Sequence, residues 1–543
     1  VRIADGVQAS PESYWLPQLL LPPRLLVFDS VEEQQSFDFF RSRSVGELTE
    51  VFHIDETFWN LCVLQMSMTQ PALRYAVAAL GAMHRIYATG NTTAIPEDTS
   101  DSQTRFALEQ CNRSIKSLLE RRGSEARTEK LSTLVACVLY TCLASIQGHQ
   151  KQSIMHLRNG MKLLDSLVQQ KDVSKLPLTS YNTQIQSFLT TLSSLEVQAR
   201  SLMCEEDLPA WPTRIRIRGS LSLQPDIRFT GLSDARDFFE SVLSDFQCFV
   251  LERDANKEWL LSPGANPRRS VMDEYELLVK KHSFGVKALE SFIATHGELD
   301  GRDEKMILML RLHINIVEMY LRVYPLSLKH GELAWDHLES YYLRILHLGR
   351  QILGCTEDQL SDMLCSHSEV EKSKTQSHDH PGKTYKYPKI PPTASILKKQ
   401  HHHQQHRPVF AFSQGVVGPL STVAVLSRSP NVRREAIALL LLYPRREGLW
   451  DSHTAGRMAW VSMCLEEEMA LKLRGQRDQE GAGEGGGGGG GFEITTASDI
   501  PVECRIRAVD MKYLGARTGE VRYSTVKECQ KGEKGKVVRI LGW

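Results

Sequence analysis

At 543 residues, with 41% hydrophobic and 24% charged side chains, the chain has a globular composition and enough length for two or three packed units. Its 65 basic and 65 acidic residues cancel. No global field therefore draws it to phosphate polymers or anionic lipid, and nucleic-acid affinity has to come from a local patch or from residues outside this sequence.

The apolar run near the start, "YWLPQLLLPPRLLVF", is interrupted by Pro17, Pro22, Pro23 and Arg24, short of the roughly 20 residues that a spanning helix needs. It also lacks the basic start and small-residue cleavage site of a secretory signal, so an intracellular setting is expected. The sequence opens on Val1, which suggests that further residues precede it. Eleven cysteines are scattered without metal-ligand spacing and are expected to be reduced, most of them buried as small hydrophobes.

Helical periodicity dominates the first two thirds. "PALRYAVAALGAMHRIYA" opens with Pro71 in the favoured first turn and sets Leu73, Val77, Leu80, His84 and Tyr87 on one face, while Ala72, Ala76 and Ala79 permit a close crossing. "FALEQCNRSIKSLLERR" predicts a stripe of Leu108, Cys111, Ile115 and Leu118, stopped by Gly123. "LSTLVACVLYTCLASI" is apolar nearly all round and predicts a buried central helix ended by Gly148; Leu157, Met161, Leu164 and Val168 then stripe the next one. The texture continues from Ser187 to about Leu353, with Pro325 expected to close the last long helix. Strand-like alternation is almost absent before residue 490.

Residues 355–408, rich in His, Lys, Ser, Gln and Pro, are expected to be a disordered insertion, and the "GAGEGGGGGGGF" stretch from Gly481 a flexible linker. After Phe492, "VRYSTV" and "KVVRILGW" predict short strands or coil. The organisation is thus a linker at 1–30, a helical region in two parts at 31–354 and 409–480, the insertion at 355–408, the glycine linker at 481–491 and a C-terminal segment at 492–543. The fold class is all-α, a multi-helix bundle or solenoid-like array.

Few residues suggest chemistry. "HHHQQH" (His401 to His406) and "HDH" (His378 to His380) lack fixed geometry and neighbouring ligands for a metal. "GAGEGG" at Gly481 has neither the preceding strand nor the following helix of a dinucleotide site, and "KGEKGKV" lacks the spacing of a phosphate loop. Lys383, Lys386, Lys389, Lys398, Lys399 and Arg407 make the insertion basic, which suits a solvated linker first and a nuclear import signal or weak phosphate contact second. No residue is assigned a catalytic, cofactor-binding or metal-ligating role.

The most informative stretch is "PNVRREAIALLLLYPRREGLWDS" from Pro430. It reads as a helix capped by Ser429 and stopped at Pro444, then a turn with Arg445, Arg446 and Glu447 eased by Gly448, then a helix capped by Ser452. The charges are expected to satisfy helix-end groups and lock neighbouring helices, since no nucleophile or perturbed acid accompanies them.

Together with "EEQQSFDFFRSRSVGELTEVF" from Glu32, "FWNLCVLQMSMTQPALRYAVAALGAMH" from Phe58, "ALEQCNRSIKSLL" from Ala107 and "ACVLYTCLASIQGHQKQSIMHLRNGMKLL" from Ala136, this stretch resembles the fungal-specific transcription factor domain of binuclear zinc-cluster regulators. The resemblance spans about residues 20–475. It implies an all-helical, non-enzymatic regulatory region acting in the nucleus through transcriptional or regulator proteins, with a homodimer among the arrangements open to it. Zinc and DNA reading are implied only for the family's six-cysteine cluster, which these residues do not contain. Where that family often has Cys-Arg-Asp-Pro, this chain has "SRSP" at Ser427 to Pro430. The alternatives are a scaffold or cofactor that does not bind DNA, a helical cavity that senses a small ligand, and an enzyme of unrecognised type.

Overall fold

The computed structural model describes residues 28–49, 58–90, 100–120, 127–169, scattered positions between 188 and 202, residues 227–254, 269–296, 300–356, 359, 407–481, 493–515 and 517–542. The histidine tracts, the glycine run after Gly481, Gly123, Cys204, and the side chains of Val168 and Cys248 lie outside the described residues. Most of the rest is helical, as the periodicity predicts, with two small sheets added.

The N-terminal half is built on α1 (Val31–Phe39), which runs on through a π turn (Phe40–Ser44) to Val45–Leu48, then α2 (Pro71–Ala88), α3 (Ser102–Glu120), α4 (Arg127–Gln147) and α5 (Gln150–Gln169). All five predicted stripe residues of α2 are buried. Gly81 lets α1 cross closely, because a Cβ there would stand 3.0 Å from the Ser36 carbonyl carbon. In α4, the window Glu129–Gln147 is long and apolar enough to cross a membrane, yet 78% of it is buried inside the protein as a core helix. Gly148 (φ +82°) makes the turn into α5, where Leu157, Met161 and Leu164 are buried.

The stripe predicted for α3 is displaced. Ile115 is 38% exposed, while Thr104, Phe106, Ala107, Gln110 and Ser114 face inward. The reason is polar: Ser114 Oγ donates to the Ala72 carbonyl (2.6 Å) and bonds Tyr140 Oη (2.6 Å), and so close an approach needs small residues on the buried face.

The second half comprises α6 (Leu232–Asp254), α7 (Arg269–Thr295), α8 (Gly301–His330), a 3-10 turn (Gly331–Leu338) and α9 (Glu339–Leu353). Pro325 does not close its helix: α8 runs on to His330 and ends at Gly331 (φ +56°). A proline costs the carbonyl four residues back its N–H partner, here that of Leu321, and Tyr275 of α7 supplies the missing donor (2.9 Å).

After residue 407 come β1 (Val409–Ala411), α10 (Val417–Leu426), α11 (Pro430–Leu442), β2 (Arg445–Glu447), β3 (Trp450–Asp451) and α12 (Ser452–Gly481). β1 pairs parallel to β2, and β2 antiparallel to β3. The residues read as a turn are therefore strands, too short to show alternation in the sequence. This small sheet lies between two hydrophobic cores, one from the N-terminal helices and one from α6 through α12. Period-two alternation sends Phe410 and Phe412 into the first core and Ala411 into the second. Phe412 meets Trp59 edge-on, with ring centroids 5.3 Å apart.

The C-terminal segment forms an antiparallel sheet in the order β4 (Ile506–Gly515), β5 (Thr518–Thr525), β6 (Val537–Gly542), with α13 (Val526–Gln530) between the last two strands. β5 and β6 fall on the two predicted strand pieces. The sheet packs on α12 through Met511, Val521, Tyr523 and Leu465.

Candidate functional site

The β2–β3 hairpin is densely hydrogen-bonded. Gly448 takes a left-handed φ of +60°, and its N–H bonds the Ala411 carbonyl (2.9 Å). The Glu447 carboxylate, 1% exposed, accepts the backbone N–H groups of Gly415 (3.0 Å), Val416 (3.2 Å) and Val417 (2.9 Å), and Arg445 Nε donates to it at 2.9 Å. These amides are the orphan donors at the start of α10, so the carboxylate satisfies them and meets the positive end of the helix.

Arg446 pairs with Asp451, not with Glu447, donating from Nε (3.1 Å) and Nη2 (2.9 Å). Its Nη1 donates to the Ser145 carbonyl in the last turn of α4, a helix-end acceptor of the kind the sequence reading assigns to these arginines. The other Asp451 oxygen accepts the Thr454 N–H at 2.8 Å. Asp451 is therefore the N-cap of α12, and Ser452, expected in that role, instead accepts the Arg445 N–H (3.0 Å). Ser429 likewise makes no side-chain cap bond to α11; Pro430 in its first turn needs no donor satisfied. Burial alone would raise the Asp451 carboxyl, but Arg446, His453 and the Thr454 amide outweigh it and hold it below its usual value.

Beside the Arg446–Ser145 bond, three more tie the hairpin to the N-terminal half. Ser145 Oγ donates to the Gly448 carbonyl (2.6 Å), Gln150 Nε2 to the Leu449 carbonyl (3.1 Å), and the Leu449 N–H donates to Gln198 Oε1 (2.8 Å). Leu449 itself is buried in the N-terminal core.

A second ionic cluster lies one helix away. Arg428, the arginine of "SRSP", donates to Glu466 at 3.0 Å and lies 3.6 Å from Glu332; Arg433 donates to the other Glu466 oxygen at 2.5 Å. All four side chains are essentially fully buried. Glu466 also accepts the Ile506 N–H (2.6 Å), and Arg428 donates to the Ile506 carbonyl (3.1 Å), which anchors β4 to α12. Burial would raise the Glu466 carboxyl, and Arg428 with Arg433 more than offsets it, leaving it lowered. Arg434 pairs with Glu467 through two bonds of 3.1 Å. Arg505 grips Asp336 bidentately (2.8 and 2.7 Å) and fixes the C-terminal segment to the turn before α9.

The sequence reading singled out Arg433, Arg434, Arg445, Arg446 and Glu447, and the fold engages all five. It missed Arg428, Glu466 and Asp336. The signal for Glu466 is the acidic run Glu466–Glu468, which faces the Arg433–Arg434 doublet across the α11–α12 pair.

Beside the hairpin is a cavity of about 270 Å3, walled by α10, β3, α12 and β4, with Gln150 and Tyr320 completing it. Arg445, Arg446 and Glu447 are not in its wall. They brace helices: each is engaged with a helix end or a partner on the hairpin. Among the described residues no three His, Cys, Asp or Glu side chains are grouped to hold a metal, and none of the eight described cysteines is in a disulfide. Burial pushes the Cys62, Cys111 and Cys137 thiols up to about 11, so they are not thiolate ligands in waiting. These residues do not fit the family's zinc cluster.

Comparison with known proteins gives the same direction. Residues 36–236 match the fungal specific transcription factor domain. The chain is also 24% identical over 514 residues to the Aspercryptin biosynthesis cluster-specific transcription regulator atnN of Emericella nidulans, covering 84% of this chain and 78% of that protein. No solved structure matches it. The match ends before the hairpin but includes Ser145, Gln150 and Gln198, the residues that receive it. Over residues 36–236 the chain is thus similar to the fungal specific transcription factor domain, and over most of its length to a transcription regulator.

Proposed function

We propose that this region modulates transcription in the nucleus by contacts with other proteins, while DNA recognition belongs to a six-cysteine zinc cluster that these 543 residues do not contain. The observation that carries this reading is the use of the buried charges: the guanidinium and carboxylate groups of the hairpin are spent on joining two helical cores into one body. A body of that kind suits transmission of a signal between bound partners, and a homodimer is one form such contacts take. The likeness to a regulator named for a biosynthesis cluster supports genes of one biosynthetic cluster as its targets.

The test is a reporter assay in which the chain is fused to a foreign DNA-binding domain. Reporter output should differ from that of the DNA-binding domain alone. Identical output with and without the chain, at equal protein levels, would overturn the reading.

A further inference from the structure

The cavity beside the hairpin lies where the three parts of the chain meet. Gln150 belongs to the N-terminal half, Trp450 and Met458 to the hairpin and α12, and Tyr513 to the C-terminal sheet. Its walls are mostly apolar and aromatic. Its polar groups are nearly all committed: Thr422 donates to Gly418 (3.0 Å), Ser462 to Met458 (3.1 Å), and Thr454 to Asp451 (2.9 Å). Asp451 is neutralised by Arg446, and Arg507 has an interaction of its own. Gln150, 3% exposed, keeps a buried acceptor uncommitted. Its Nε2 must donate to the Leu449 carbonyl, which can only accept, so the orientation of the amide is fixed and Oε1 is left buried without a hydrogen-bond partner.

An uncommitted acceptor in the wall of an apolar cavity selects a donor. A dry cavity of roughly 150 Å3 takes a benzene-sized molecule, so about 270 Å3 has room for a bicyclic one. We propose that this cavity binds a neutral, largely aromatic small molecule whose N–H or O–H group donates to Gln150 Oε1, as an effector of the regulatory region. A charged ligand is disfavoured because neither Asp451 nor Arg507 is free to balance it. The molecule would touch the hairpin, α10, α12 and β4 at once, so its binding would tighten their junction. The role as effector rests on the regulatory reading above; the binding site does not.

The test uses the whole purified chain with indole as probe and 1-methylindole, which keeps the ring and loses the donor, as control. Calorimetry should give one site for indole with a dissociation constant on the order of 0.1–1 mM, as expected for about nine heavy atoms. 1-Methylindole should bind at least tenfold more weakly. Val425→Trp, at a half-exposed wall position, should abolish indole binding while the melting temperature without probe stays unchanged. Should Val425→Trp unfold the chain, Thr422→Trp serves in its place. Absence of indole binding, equal binding of the two probes, or binding that survives the filled cavity would each overturn the proposal. None of these outcomes touches the reporter experiment, so the two readings fail separately.

Discussion

Glu447 closes its carboxylate over the backbone of Gly415, accepting that residue's N–H at 3.0 Å, and leaves no room for a side chain there: a Cβ would stand 2.7 Å from the carboxylate carbon. The glycine is required by approach and not by its φ. Gly415→Ala should push the carboxylate off three amides and Arg445, and the cost should approach that of breaking a buried ion pair, about 3–5 kcal/mol. Gly418→Ala, three residues on in α10 with nothing within 4 Å, should instead stabilise by up to about 1 kcal/mol. Urea unfolding of the two variants beside the parent chain checks the contrast.

Glu466 is the acid that pairs with both buried arginines, while Glu332 lies 3.6 Å from Arg428 alone. Replacing it by glutamine keeps the shape, leaves Arg433 without its buried carboxylate and leaves Arg428 with Glu332 only, so Glu466→Gln should lose about 3–5 kcal/mol at pH 7. The acid dependence follows from sign. The Glu466 and Asp451 carboxyls are both lowered in the folded chain, so the unfolded chain binds their protons first as pH drops. Their contribution is whole above the ordinary carboxylate values of 4.5 and 3.8 and is lost as pH falls through the lowered ones. Stability measured from pH 7 to pH 3 should fall less steeply below pH 4.5 in Glu466→Gln, because one of the two groups no longer titrates.

Helix identity was legible because burial and periodicity agree where side chains are large and apolar, as in α2, α4 and α5. The α3 stripe was not, since Ser114 is buried for its hydrogen bonds, with Gln110 buried on the same face, and hydropathy counts both as surface. Pro325 misled for a related reason: the rule that proline ends a helix assumes an orphaned carbonyl, and Tyr275, 46 positions from Leu321 in sequence, removes that orphan. At the hairpin the sequence disclosed which charges are structural and not what they hold. Glu447 reaches back to Gly415, and Arg446 back to Ser145, spans over which local pattern says nothing. Asp451 carries both oxygens' worth of capping and pairing, which a reading of Ser452 as the cap could not anticipate.

His313 is buried against the Gly415 backbone, with Arg236 near by. Burial first, and then Arg236, push its imidazole down to about 4 from 6.5, so it is neutral in the folded chain at neutral pH. Between those values the unfolded chain takes up a proton and the folded chain does not. Stability from this residue is therefore full above pH 6.5 and falls as pH drops towards 4, by up to about 3 kcal/mol. The window lies above that of Glu466 and Asp451, which separates the two effects. A His313→Leu chain should show a flatter profile between pH 6.5 and pH 4 in thermal unfolding, whatever its stability at pH 7.

Tyr275 offers the narrowest test of how α8 survives its proline. Its hydroxyl is the donor that replaces the missing Pro325 N–H at the Leu321 carbonyl, and Tyr275→Phe removes that donor while keeping the ring against Tyr324 (4.8 Å between centroids). A buried carbonyl left unpaired costs about 1–3 kcal/mol. Pro325→Ala restores the helix's own N–H, so it should stabilise the Tyr275→Phe background more than the parent chain. A double-mutant cycle in urea measures the coupling. Additive free energies would mean that the hydroxyl and the proline act on different groups, and the account of the continuous helix would fail with them.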